Sequence, residues 1–191
     1  MMEASNETGL PTAFGDFRMR AFRDERAGEH LAIYKDLSGD EPLPVRIHSE
    51  CLTGDTLRSL KCDCGEQLVK SLIYIEERGR GAVIYLRQEG RGIGLFNKIN
   101  AYALQEDGMD TVEANNELGF PTDLREYEVA ANILIYLGIR SVSLLTNNKE
   151  KIKGLSESGI DVVERIPLTS EPNEHNQCYL ATKRSKMDHM L

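Results

Sequence analysis

From Gly81 onward the sequence alternates short apolar runs with stretches of helical period, and this rhythm restricts the chain to a layered α/β arrangement. Gly81-Ala82-Val83-Ile84-Tyr85-Leu86 is a short apolar run suited to a buried strand. The glycine-rich segment 88–94 follows it, and then a helix over about 95–105. The second half repeats the pattern: a helix over about 123–137 stopped by Gly138, a strand over 141–145, the turn Thr146-Asn147-Asn148, a short helix, and a strand over 161–166. Ahead of this, Leu68, Leu72, Ile73 and Ile75 recur near helical spacing, and Gly79 stops that helix. The N-terminal part, about 1–48, has a different period. Alternating runs over 13–22 and 30–35 flank a charged turn, and Glu41-Pro42-Leu43-Pro44 turns into Val45-Arg46-Ile47, which together indicate antiparallel strands. Residues 179–187 read as a terminal helix with a thin apolar face, in a C-terminal tail over about 175–191 that is expected to be mobile and to fray. No repeat, linker or low-complexity tract divides the chain. The expected fold is therefore α/β, a mixed sheet flanked by helices with a β-rich N-terminal portion, in a single domain over 1–191.

Charge and composition narrow the partners. Asp and Glu number 31 against 23 Lys and Arg, a net charge of −8, which opposes non-specific grip on a nucleic-acid backbone. Hydrophobic residues at 40% are enough for a sizeable core. No stretch approaches the roughly 20 apolar residues of a membrane span, and MMEASNETGL lacks the basic and apolar regions of a signal peptide. A cytoplasmic protein without nucleic-acid or membrane partners is expected.

Three of the four cysteines, Cys51, Cys62 and Cys64, form a Cys-x10-Cys-x-Cys pattern, with Cys178 far away. In a reducing compartment such clustering points to metal more than to disulfides. Lys61, Asp63, Gly65 and Glu66 make this a polar loop unlike a core strand, which favours thiolate ligands over cysteines that merely pack as small hydrophobes. Spacing leaves open whether three thiolates form an open site or Cys178 closes a structural one. His48-Ser49-Glu50 matches the His-x-Glu half of a zinc deaminase signature but lacks its Pro-Cys-x-x-Cys half. Each residue alone reads as a strand histidine and a solvated carboxylate.

Gly90, Gly92 and Gly94 alternate along a strand-to-helix turn, with Arg91 between them, Arg87 before and Lys98 one helical turn beyond. Backbone N–H groups, a helix N-terminus and an arginine fork suit phosphate oxygens. A tight turn needing positive φ explains the same glycines, and the pattern is neither the dinucleotide fingerprint nor a P-loop. Further on, Asp123 reads locally as a helix N-cap with Glu126 at the capping-box position. Arg125 in the first turn would then oppose the helix dipole by roughly a few tenths of a kcal/mol, a penalty that a nearby anion reverses.

Taken together, Arg46-Ile47-His48-Ser49-Glu50-Cys51-Leu52-Thr53-Gly54-Asp55, Cys62-Asp63-Cys64-Gly65, Arg87-Gln88-Glu89-Gly90-Arg91-Gly92-Ile93-Gly94-Leu95, Asp110-Thr111-Val112-Glu113-Ala114-Asn115 and Leu144-Leu145-Thr146-Asn147-Asn148 resemble GTP cyclohydrolase II, in that family's order and over most of the chain, to the Lys-Met-x-His tail. The resemblance implies an enzyme that opens the imidazole ring of GTP and releases formate and pyrophosphate, giving 2,5-diamino-6-(5-phosphoribosylamino)pyrimidin-4(3H)-one, the first committed intermediate of riboflavin synthesis. It implies one zinc per subunit on Cys51, Cys62 and Cys64, with water at the fourth position, and magnesium with the triphosphate. It also implies a stand-alone form and a homodimer. By the same resemblance Tyr102 assists the ring chemistry, although a tyrosine on this helix would otherwise read as packing. Asp123, as proton acceptor, and Arg125, as nucleophile on the α-phosphate, would carry pyrophosphate release. GTP contacts fall at Arg46, Ile47, His48, Ser49, Glu50, Gln67, Glu89, Gly90, Arg91, Thr111, Thr146 and Lys151. Glu113 or Glu50 would suit the guanine edge, and Arg91 and Lys151 the triphosphate charge. Lys149, Glu150 and Phe96 depart from the residues common in the family. The alternatives are a non-catalytic zinc-stapled nucleotide-binding module, with Cys178 closing the site, and a related cyclohydrolase giving a formylated product.

Overall fold

The strand runs of the sequence assemble into one mixed sheet in the computed structural model, which describes residues 2–186 and Met190. Five strands precede the first helix: β1 (Glu3–Ala4), β2 (Thr8–Thr12), β3 (Gly15–Arg23), β4 (Glu29–Lys35) and β5 (Leu43–Ser49). After them come α1 (Leu52–Asp55), α2 (Cys64–Arg78), β6 (Gly81–Leu86), a 3-10 turn (Glu89–Gly92), α3 (Gly94–Glu106), α4 (Thr111–Glu117), α5 (Glu128–Tyr136), β7 (Ser141–Leu145), α6 (Lys149–Glu157), β8 (Asp161–Ile166) and α7 (Gln177–Lys186). The sheet order is β1-β3-β4-β6-β5-β7-β8, with β2 also on β3. Pairing is antiparallel from β1 through β4 to β6, and parallel between β5, β7 and β8.

The chain divides into two compact units. The first comprises Met1–His48, Leu68–Arg87 and Glu126–Leu168; the second comprises Ser49–Gln67, Gln88–Arg125 and Thr169–Leu191.

In the first unit the two-residue period of a strand sends alternate side chains to opposite faces. Ala82, Ile84 and Leu86 of β6 join Ala32 and Tyr34 of β4 in a core completed by Ala130, Ala131, Ile133 and Leu134 of α5. Val83 belongs with Phe17 of β3 and with Leu72 and Ile75 of α2 in a second core. Strands buried on both sides account for the uninterrupted apolar run of β6. Truncating a side chain as buried as Ile133 costs about 2–5 kcal/mol.

The strands over 81–86, 141–145 and 161–166 fall where expected. The helix expected over 123–137 instead begins at Glu128, with Tyr127 at its N-cap. Asp123 is therefore not a helix cap: its carboxylate accepts the Arg125 N–H at 3.0 Å, a side-chain turn that competes with helical pairing. The charge of Arg125 accordingly lies outside any helical turn. Gly138, with φ 80, follows α5 as expected.

In the second unit the short α4 was not anticipated from periodicity. Its signal was a capping box, in which Asp110 accepts from the N–H groups of Val112 and Glu113 and the Glu113 carboxylate accepts from the Asp110 N–H. The tail forms α7, with Leu180, Thr182 and Lys183 buried. Among the described residues no helix is long and apolar enough to cross a membrane.

Candidate active site

The cysteine pattern folds into a cradle at the start of the second unit. Cys51 stands at the N-cap of α1, where its N–H donates to Asp55 Oδ2 at 3.0 Å and its carbonyl accepts from the Asp55 N–H at 2.7 Å. Cys64 is the first residue of α2. The three sulfurs lie within 4.8 Å of one another, with Cys51 Sγ 3.7 Å from Cys62 Sγ. A β-carbon at Gly54 would stand 2.7 Å from Cys62 Sγ and 3.1 Å from Cys51 Sγ, so glycine there leaves the space in which the sulfurs converge.

Hydrogen bonds from Cys62 and Cys64, with the Lys98 ammonium, hold Cys51 far below the ordinary thiol range. Its bond to Cys51 pushes Cys62 up to about 11, and Cys64 is raised for the same reason. Three close sulfurs thus share little negative charge on their own, and a soft divalent cation is what allows all three to ionise. The donor set fits a zinc-type ion. No fourth His, Cys, Asp or Glu joins the group among the described residues. The side chain of Cys178, and Met187 and His189 of the tail, lie outside those residues.

A lysine that the sequence reading associated with phosphate lies against this cradle. Lys98 Nζ donates to Cys51 Sγ at 3.1 Å, to Thr53 Oγ1 at 3.0 Å and to Glu89 Oε1 at 2.8 Å. Burial works against its charge, but the Cys51 sulfur and the Glu89 carboxylate outweigh that and raise its pKa. Glu89 also accepts the Leu52 N–H at 2.6 Å and the Gly90 N–H at 2.8 Å. Tyr102 lies one turn beyond Lys98 on α3, as the i, i+4 spacing requires, with its hydroxyl 3.4 Å from Thr53 Oγ1. Burial raises its pKa and keeps it protonated. Phe96 is 80% exposed.

Asp63, between two of the cysteines, is fully buried. Its carboxylate accepts from Lys183 of α7 and from Gln67 Nε2, the latter at 2.6 Å. Lys183 Nζ sits 4.5 Å from the Tyr179 ring centroid, and the Arg91 guanidinium 5.9 Å from it on the same ring.

The glycine-rich turn holds Gly90 at φ 62 and Arg91 at φ 61. Both terminal nitrogens of Arg91 are buried without a hydrogen-bond partner among the described residues, an arrangement that suits an anionic ligand. Arg125 forks onto Asp123, with Nε 2.8 and 3.1 Å from its two oxygens and Nη2 on Oδ2. Burial acts to raise the Asp123 pKa, but Arg125, and more remotely Arg91, hold it below the usual range. Thr111 opens α4 and Glu113 caps it. Ser49 ends β5, and its hydroxyl has no partner among the described residues; Glu50 follows, half-buried.

The remaining candidates belong to the first unit. Arg46, buried on β5, donates to the Leu145 carbonyl at 3.0 Å, and Lys151 donates to the Ile47 carbonyl at 2.7 Å. His48 stacks on Tyr85, with centroids 5.4 Å apart. Thr146 is buried and accepts the Asn148 N–H at 3.0 Å.

The profile of the GTP cyclohydrolase II family matches residues 3–167. The chain belongs to the GTP cyclohydrolase II family. It is 54% identical to GTP cyclohydrolase-2 of Shewanella amazonensis over 95% of this chain and 90% of that one, and 54% identical to GTP cyclohydrolase-2 of Yersinia pseudotuberculosis over 97% and 95%. It is also 54% identical to the riboflavin biosynthesis protein RibBA of Chlorobium phaeovibrioides over 100% of this chain and 47% of that one, so the chain spans about half the length of that relative. A solved two-domain 3,4-dihydroxy-2-butanone 4-phosphate synthase, RibBX from A. baumannii, is a more distant likeness at 19% identity and a TM-score of 0.47, covering 89% of this chain and 40% of that one. The cysteine triad, Tyr102, Asp123 and Arg125 all lie within the span matched to the GTP cyclohydrolase II family. Lys98 and Asp63 lie there too, and sequence reasoning assigned neither to the cysteine cradle.

Proposed function

We propose that the chain is a single functional domain that catalyses the GTP cyclohydrolase II reaction, opening the guanine imidazole ring with release of formate and pyrophosphate. The observation that carries this reading is the convergence of three sulfurs within 4.8 Å beside a glycine that leaves room for them. Family membership supplies the substrate. Zinc bound by Cys51, Cys62 and Cys64 would supply Lewis acidity and a water of lowered pKa.

The chain's own residues do the rest. Tyr102, protonated and linked to Thr53, offers a hydrogen-bond donor to the opening ring. Arg91, with unpartnered nitrogens, binds phosphate oxygens. Asp123 fixes the plane of the Arg125 guanidinium, which faces the α-phosphate in the pyrophosphate-releasing half of the reaction. Its lowered pKa makes Asp123 an orienting partner and a weak base. Arg46, Ile47, His48, Ser49, Glu50, Gln67, the segment Glu89, Gly90 and Arg91, Thr111, Thr146 and Lys151 make the remaining GTP contacts. Magnesium accompanies the triphosphate. The working form is a cytoplasmic homodimer.

Two variants test the division of labour. Cys62→Ser loses bound metal together with formate release, whereas Arg125→Ala keeps the metal and loses turnover. Formate released by metal-free Cys62→Ser contradicts the metal role, and GTP binding by wild-type protein without formate indicates a binding module.

A further inference from the structure

Lys98 is a buried ammonium with all three of its N–H bonds committed, to a cysteine sulfur, a threonine hydroxyl and a carboxylate. Its stem is seated by the glycine-rich turn, since a β-carbon at Gly90 would lie 3.1 Å from Lys98 Cβ. Glu89, which holds the ammonium, uses its other carboxylate oxygen to accept the Leu52 N–H, next to Cys51 in the chain. The Lys98–Glu89 pair therefore grips Cys51 both at its sulfur and at the backbone that follows it.

Three thiolates around a divalent cation donate so much charge that the cation is a poor Lewis acid. A charge-assisted hydrogen bond to one sulfur draws some of that charge back. We infer that Lys98, fixed by Glu89, is a positioning residue of the metal centre that orients Cys51 and withdraws charge from its sulfur, making the bound metal more electrophilic. The inference rests on the reading of the cysteine triad as a metal site. It gives Gly90 a role in making room for Lys98, and it gives the Glu89 carboxylate a task at the metal centre beside the GTP contacts of its segment.

The test uses the full chain, freed of metal and titrated with Co2+ alone, and follows the sulfur-to-cobalt charge-transfer band. A hydrogen bond lowers the energy of the sulfur lone pair, so removing it moves the band to longer wavelength. Lys98→Met, which keeps the stem and removes the donor, is expected to shift the band furthest. Lys98→Gln, which offers a neutral amide donor and leaves no buried apolar mismatch, is expected to shift it less, and it serves as the decisive variant if Lys98→Met fails to fold by circular dichroism. Bands in the folded variants that coincide with wild type overturn the role of Lys98 while leaving the metal site standing. A wild-type protein that shows no thiolate charge-transfer band on Co2+ addition overturns the metal reading itself.

Discussion

Replacing Lys183 with Met breaks the buried ion pair by which α7 holds the loop between Cys62 and Cys64. Lys183 is 7% exposed and Asp63 1%, so solvent screens the pair little. Methionine keeps most of the stem's volume and removes the charge. Removing one partner of a buried pair costs about 3–5 kcal/mol, because the remaining charge stays desolvated. For a chain of 191 residues each kcal/mol lowers the melting temperature by about 2–4 °C, so Lys183→Met is expected to melt about 6–20 °C below wild type. The double variant Asp63→Asn/Lys183→Met removes both charges and is expected to recover most of the loss, since the amide oxygen of Asn can still accept from Gln67 Nε2. Urea unfolding followed by far-ultraviolet circular dichroism, run on the wild type, both single variants and the double variant, yields the coupling energy directly. A loss below about 1 kcal/mol in Lys183→Met, typical of an exposed pair, would show that Lys183 and Asp63 are not a desolvated pair.

Gly54→Ala should fold normally yet bind Co2+ or Zn2+ much more weakly, because its methyl would stand 2.7 Å from Cys62 Sγ and displace a donor by more than a metal site tolerates; unchanged affinity in a chelator competition would contradict the cradle geometry. Burial pushes the Tyr179 phenol up to about 12 from its ordinary value of 10, so the folded state keeps a proton that the unfolded state releases. Its contribution to stability is complete below about pH 10 and is lost as pH rises from about 10 to 12. Melting curves of Tyr179→Phe should fall less steeply than wild type across that window, and parallel curves would show that the phenol is not buried.

Part of the sheet was legible because β6 and β7 are buried on both faces and read as short runs bounded by turns, whereas β8, an edge strand with Asp161, Val163 and Glu164 exposed, was marked by its place in the alternation of helix and strand. Helix starts were less legible. Asp123 carries the marks of a cap, yet its carboxylate is claimed by the N–H and guanidinium of Arg125, and the helix waits until Glu128. The seven-residue α4 is too short to display a period, and only the reciprocal pairing of Asp110 and Glu113 marked it. In the candidate site, the close spacing of Cys51, Cys62 and Cys64 was visible in the chain, as was the place of Arg91 in the glycine-rich turn. The partners of those residues were not. Lys98 reaches Cys51 across 47 positions and Lys183 reaches Asp63 across 120, and no local pattern encodes contacts made by separate elements. Glycine spacing drew attention to phosphate, whereas in the structure the missing β-carbon of Gly90 leaves room for the stem of Lys98.

The measurement that bears most directly on the account is a single time course of purified protein with GTP, zinc and magnesium, in which formate, pyrophosphate and the pyrimidine product are quantified together by mass. Formate and pyrophosphate are expected in equal amounts, with the diaminopyrimidine rising in step. Pyrophosphate or a formylated product without free formate, or GTP bound and left intact, would contradict the proposed reaction.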